Sequence, residues 1–184
     1  MLKTKTSIFL FIFFILACLL FFFRPLLYHF HSEKILPPFQ QQTLIDNASQ
    51  ALKSNDVPVG AILIYNDSIL STGYNTVYRD SNAGGHAEIN AISNVIKKIG
   101  YENFSKLDRN KLILVSTFEP CMMCKGAIIE YNIKKVYFLK GKGLLHWWKN
   151  DLKQIRYEWN KFKVEGENLQ DSLFMMHPKF LRKY

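Results

Sequence analysis

Apolar and polar positions divide the chain into segments of different period. The first, residues 7–23 (SIFLFIFFILACLLFFF), carries no charge. Such a run is just long enough to cross a hydrocarbon core of about 30 Å as a helix rising about 1.5 Å per residue. Arg24-Pro25 closes it, and no small-x-small cleavage site follows. Lipid attachment at Cys18 is the other option, but the apolar run continues past that position. The expectation is an uncleaved single-pass membrane anchor over residues 1–27, with the membrane met through residues 7–23. Lys3 and Lys5 on one side and Arg24 and Lys34 on the other fix no orientation. Residues 28–41 (YHFHSEKILPPFQQ) read as a linker with Pro37-Pro38 as a stiff break.

Residues 42–184 carry the periods of a folded domain. Leu44, Ile45, Ala48, Ala51 and Leu52 recur at helical spacing and predict a helix over 43–54. Residues 61–65 and 69–74 predict a hairpin, with Asn66-Asp67-Ser68 at its turn. Residues 75–85 form a polar loop, the kind of segment that carries substrate contacts. A helix over 86–99 follows, with Ile89, Ile92, Ile96 and Ile99 marking its buried face and Gly100 its end. Residues 111–116 (KLILVS) have the continuous apolar character of a strand buried on both faces. A helix over about 121–131 and a fourth strand over 135–139 (KVYFL) complete the pattern. Helix, hairpin, helix, strand, helix, strand is the order of a three-layer α/β/α sandwich. Beyond it, 144–162 predicts a helix carrying Leu145, Trp148, Leu152, Ile155 and Trp159, then a short strand over 162–164 and a short helix over 169–176.

Length changes this picture little, since 184 residues suit one domain with a full core. A hydrophobic content of 48% with 21% charged residues excludes a disordered chain. The net charge of +9 fits either solubility and attraction to an anionic surface or a phosphate-bearing substrate. Three cysteines, one of them in the leader, cannot make a disulfide framework.

The chemistry concentrates in two short stretches, His86-Ala87-Glu88 and Pro120-Cys121-Met122-Met123-Cys124. Together they offer one imidazole, two thiolates and one carboxylate. A catalytic zinc holds three protein ligands and keeps its fourth position open for water. His86, Cys121 and Cys124 supply the three. Glu88, left out of the ligand set, is free to move protons. Both stretches sit where a helix is expected to begin, and free N–H groups there favour thiolate over thiol. A redox C-x-x-C and a purely structural zinc are the competing uses, but H-x-E followed by P-C-x-x-C is the signature of zinc-dependent base deaminases.

Three stretches carry a resemblance: Val57-Pro58-Val59-Gly60-Ala61, Gly85 to Ile92 (GHAEINAI) and Phe118 to Ala127 (FEPCMMCKGA). On these the domain resembles the cytidine and deoxycytidylate deaminase superfamily, in particular its tRNA-specific adenosine deaminases and guanine deaminases. The resemblance covers about residues 42–140. It implies zinc bound by His86, Cys121 and Cys124, Glu88 as the proton shuttle, and a base pocket formed by Asn75, Val57 and the Ala87 backbone. It also implies hydrolytic deamination of a nucleobase, nucleoside or nucleotide, adenosine in tRNA ahead of free guanine and cytidine or deoxycytidylate. A homodimer is expected by analogy. A catalytically silent, membrane-tethered nucleic-acid-binding module is the alternative outside enzymology.

Overall fold

Alternation along two apolar strands decides the architecture. In a computed structural model of the chain, residues 9–20, 36–162, 170 and 173–176 are described. After a leading helix over residues 9–20 (α1) come α2 (Pro38–Gln50), a 3-10 turn (Ala51–Ser54), β1 (Gly60–Tyr65) and β2 (Ser68–Tyr74). These are followed by α3 (Ala87–Ile99), α4 (Tyr101–Ser105), β3 (Leu112–Phe118), α5 (Met122–Glu130), β4 (Lys135–Lys140) and α6 (Leu144–Asn160). The strands form one mixed sheet in the order β2-β1-β3-β4, antiparallel except for the parallel β3–β4 pair.

Successive side chains of a strand point to opposite faces. Ala61, Leu63, Leu112 and Leu114 turn to one face and pack against Ala87, Ala91, Ile92 and Val95 of α3, Phe104 of α4 and Ile128 of α5. Ile62, Ile64, Ile113 and Val115 turn to the other and pack against Leu36 and Leu44. Helices therefore flank both faces, as the element order predicts. The chain divides into two compact units, Met1–Trp147 with the sheet, and Trp148–Tyr184, which holds most of α6.

Several local differences from the sequence reading have physical causes. The first helix starts at Pro38 rather than 43, because a proline at the first helical position lacks only an N–H that would find no partner there. Leu36 and Gln40, within the stretch read as linker, are buried, and Gln40 Nε2 donates to the Asp67 carbonyl at 2.9 Å. The hairpin turn narrows to Asn66-Asp67, both at positive φ (49° and 62°), as a two-residue turn between twisted strands requires. The buried stripe of α3 runs through Ala87, Ala91 and Val95, rotated from the isoleucine stripe, with Ile92 shared. Small residues face the sheet there because α3 lies against Gly73: a Cβ at Gly73 would stand 2.4 Å from Ala91 N. Finally, Gly100, at φ 82°, ends α3 but resets the chain into α4, whose Phe104 is fully buried.

The leader requires a correction. Among the described residues no helix is long and apolar enough to cross a membrane. The single-pass anchor, the membrane as partner and the membrane location expected from residues 7–23 are overturned. Positions 7–8 and 21–23 of that run lie outside the described residues. So does the strand expected over 162–164, except for Phe162, and so do residues 169, 171 and 172 of the helix expected over 169–176, in which 170 and 173–175 are helical.

Candidate metal centre and active site

Two helix starts bring the candidate ligands together. His86 is the N-cap residue of α3 and Cys121 that of α5, both in extended backbone conformation, with Cys124 in the first turn of α5. His86 Nδ1 lies 3.4 Å from Cys121 Sγ and 3.6 Å from Cys124 Sγ, and the two sulfurs are 3.5 Å apart. The ligand atoms of His86, Cys121 and Cys124 all fall within 4.8 Å of one another, a potential metal-binding site. A tetrahedral zinc with Zn–S near 2.3 Å and Zn–N near 2.0–2.1 Å places its donors about 3.5–3.8 Å apart. The observed spacing and donor chemistry therefore fit zinc. A sulfur separation of 3.5 Å is far beyond the roughly 2.05 Å of a disulfide, and both cysteines are free thiols.

The sulfurs differ in their surroundings. Cys124 is fully buried, whereas Cys121 reaches the cavity. The hydrogen bond from Cys124 holds the Cys121 thiol down at about 4, against burial, with help from backbone N–H groups at the start of α5 and from His86. That same bond, together with burial and the nearby charge of Glu88, pushes Cys124 up. Two thiolates this close repel each other, and a cation between them offsets that repulsion.

Glu88 follows two residues after His86, in the first turn of α3, and is 3% exposed. Its Oε1 lies 3.3 Å from the hydroxyl of Ser116 on β3, and its Oε2 lies 3.4 Å from Cys124 Sγ. Burial pushes the Glu88 carboxyl above the ordinary carboxylate range, its own backbone N–H and the Cys124 and Ser116 contacts opposing. It is held beside the metal triad without being part of it.

A cavity of about 350 Å³ opens onto this cluster. Val57, Asn75, His86, Ala87, Glu88 and Cys121 all line it, so the predicted site residues meet at one place, with Cys124 behind the wall. Asn75 is buried, and its Nδ2 donates to the Val57 carbonyl at 3.2 Å. Its Oδ1 is also buried and has no partner, leaving an acceptor for a ligand N–H. Val59, Val77 and Phe118 make the wall largely apolar, and Tyr78, Glu119 and Lys142 complete it.

Sequence reasoning misses the residues that hold these walls. The Asn90 amide donates to the Tyr74 carbonyl at 2.8 Å and the Thr76 hydroxyl at 3.0 Å, tying the loop at 75–85 to α3. Asp56, 2% exposed, accepts from Tyr78 N, Arg79 N and Ser54 Oγ, and Glu119 clamps the segment after β4. The available signal was an acidic residue placed directly before Val57 and before Pro120, in stretches otherwise entering apolar strands or a helix.

The geometry agrees with what the chain is similar to. Residues 40–140 match the family of the cytidine and deoxycytidylate deaminase zinc-binding region. The tRNA-specific adenosine deaminase of Buchnera aphidicola subsp. Schizaphis graminum is 36% identical over 73% of this chain and 87% of its own length. That of Buchnera aphidicola subsp. Baizongia pistaciae is 33% identical over 70% and 82%. Among solved structures, one from work on A-to-I editing by tRNA:A34 deaminases at the wobble position of transfer RNA is 26% identical with a TM-score of 0.50, covering 55% of this chain and 75% of its own. Guanine deaminase from Bacillus subtilis is 27% identical with a TM-score of 0.50, covering 67% and 76%.

Proposed function

The chain belongs to the family of the cytidine and deoxycytidylate deaminase zinc-binding region, and on that footing we propose that it removes the amino group of adenosine in tRNA, leaving inosine. Membership makes it a zinc-dependent hydrolytic deaminase. The substrate is supported by the tRNA-specific adenosine deaminases to which the chain is similar over most of its length. The observation that carries the reading is the meeting, at one cavity, of the His86–Cys121–Cys124 donor set with a buried carboxyl outside it.

Zinc held by these three side chains supplies Lewis acidity and a water nucleophile at neutral pH. The chain's own residues do the remainder. Asn75, Val57 and the Ala87 backbone hold the base, the free Asn75 Oδ1 accepting one of its N–H groups. The apolar walls keep bulk water from the reacting carbon. Glu88 takes a proton from the attacking water and delivers it to the ring nitrogen, then carries the proton of the newly attached hydroxyl to the departing amine. One C–O bond forms, one C–N bond breaks, and ammonia leaves. The Ser116 hydroxyl, 3.3 Å from Oε1, holds the Glu88 carboxyl between these two duties. The homodimer implied by the resemblance belongs to the same proposal, and sedimentation of the full chain tests it.

Free guanine is the second reading, favoured by the likeness to the Bacillus subtilis guanine deaminase. Ammonia release by the full chain from tRNA, adenosine, guanine, cytidine and deoxycytidylate decides between them. Release from tRNA, with inosine appearing in it, is expected. Release from guanine alone moves the assignment to the second reading, and silence across all five with zinc bound overturns both.

A further inference from the structure

Glu119 stands directly before Pro120-Cys121 and is 4% exposed. Its carboxylate is fully engaged. Oε1 pairs with Lys125 Nζ at 3.0 Å, and Oε2 accepts the backbone N–H of Lys142 at 2.8 Å. Its own N–H donates to the Lys140 carbonyl at 2.9 Å. The segment Gly141-Lys142-Gly143, flexible by composition, is therefore pinned to the metal-bearing loop through the backbone of Lys142. The pinned residue is also a cavity residue, with Nζ 5.3 Å from the centre of the Phe118 ring.

Lys142 is the one lysine or arginine among the described residues lining the cavity. Its ammonium has no carboxylate partner among the described residues. Glu119 pairs its charge with Lys125 and meets Lys142 through a backbone bond. A neutral base does not require such a cation on the wall, whereas a phosphate ester does. We propose that Lys142 is the phosphate-binding residue of the substrate site, taking a phosphate of the nucleotide that carries the target base or of its neighbour, with Glu119 as its positioning residue. This rests on the deaminase reading and names, within it, the residue that meets a phosphate of the substrate. The phosphate belongs either to a mononucleotide or to a strand, and the test separates them.

Full-chain protein, zinc-loaded, is titrated against a fluorescein-labelled single-stranded RNA at several salt concentrations. Unlabelled nucleoside and its 5′-monophosphate serve as competitors. Lys142→Ala weakens strand or monophosphate binding about five- to tenfold and flattens the slope of log Kd against log salt by about 0.7, the value for one phosphate contact on a single strand. Lys142→Arg binds within about twofold of the wild type, because it keeps the cation. Lys134→Ala, the same charge change at an exposed residue away from the cavity, leaves binding unaltered. Glu119→Ala reproduces the Lys142→Ala defect, and should it lose zinc the Lys142 series still decides. Competition by the strand alone places the phosphate on a neighbouring nucleotide, and competition by the monophosphate places it on the target nucleotide. The proposal is overturned if the wild type prefers neither over the nucleoside. It is also overturned if Lys142→Ala binds like the wild type, weakens the nucleoside equally, or is matched by Lys134→Ala. Ammonia release from an unphosphorylated substrate in any of those cases leaves the deaminase reading standing.

Discussion

The backbone N–H of Tyr78 donates a 2.6 Å hydrogen bond to Oδ1 of buried Asp56, so a carboxylate one residue before Val57 fixes the far wall of the cavity. Oδ2 accepts the Arg79 N–H at 3.1 Å and the Ser54 hydroxyl at 2.7 Å. The Arg79 guanidinium lies over the Tyr74 ring, at 5.1 Å, and stiffens the same turn. Asp56→Ala is expected to lower kcat/KM about ten- to a hundredfold through misplacement of the loop, with zinc content unchanged. Amide hydrogen exchange at Tyr78 and Arg79 should accelerate in parallel.

The same clamp sets an acid limit. Burial alone would raise the Asp56 carboxyl, but the Tyr78, Ser54 and Arg79 donors and the Arg79 charge outweigh it and hold the group below the ordinary carboxylate range. A carboxyl lowered in the folded state contributes stability that is complete above the unfolded value, near 3.9, and is lost as pH falls through the lower folded value. Thermal midpoints measured downward from pH 6 should therefore drop steeply below about pH 4. Asp56→Asn should give a lower but flatter profile.

Close packing at Gly73 gives a prediction about helix placement. A Cβ there would meet Ala91 N at 2.4 Å and Ala87 O at 2.5 Å, both backbone atoms that cannot swing aside. Gly73→Ala must push the start of α3 off the sheet, and His86 and Glu88 move with it. Destabilisation of about 1–3 kcal/mol is expected by denaturant titration, with reduced zinc retention on gel filtration.

Metal removal should act on the fold as well as on turnover. Without a cation nothing offsets the crowding of the two sulfurs and the Nδ1 atom, 3.4–3.6 Å apart. Chelation is expected to lower the thermal midpoint, and zinc to restore it. Cys124→Ser should bind less than one zinc per chain by elemental analysis, and its midpoint should no longer respond to chelator.

Much of this was legible in the chain. The alternation of Ala61 to Ile64 and the apolar run of Leu112 to Val115 impose a sheet covered on both faces. The spacing of His86, Cys121 and Cys124 holds their ligands in register because each lies at or just inside a helix start. What escaped the sequence depends on contacts between distant segments. Pro38 reads as a break until its place at the first position of a helix is known. Ala91 reads as filler until Gly73 is seen beneath it. Asp56 and Glu119 look like ordinary surface acids because the partners that tie them to other segments are backbone N–H groups more than twenty residues away, which no pattern of side chains records. The leader misled for the opposite reason: its composition alone suggested a span, and among the described residues no helix is long and apolar enough to be one.

The central claim is that Glu88 moves protons beside a metal held by three other residues, and Glu88→Gln tests it most directly. The substitution keeps the size of the side chain and removes its ability to exchange a proton. The measurement is zinc per chain and ammonia release, wild type and variant side by side, on whichever substrate the wild type deaminates. The account predicts one zinc per chain in both and a loss of roughly a thousandfold or more in kcat for the variant. A variant that holds zinc and still releases ammonia at a rate near that of the wild type would contradict it.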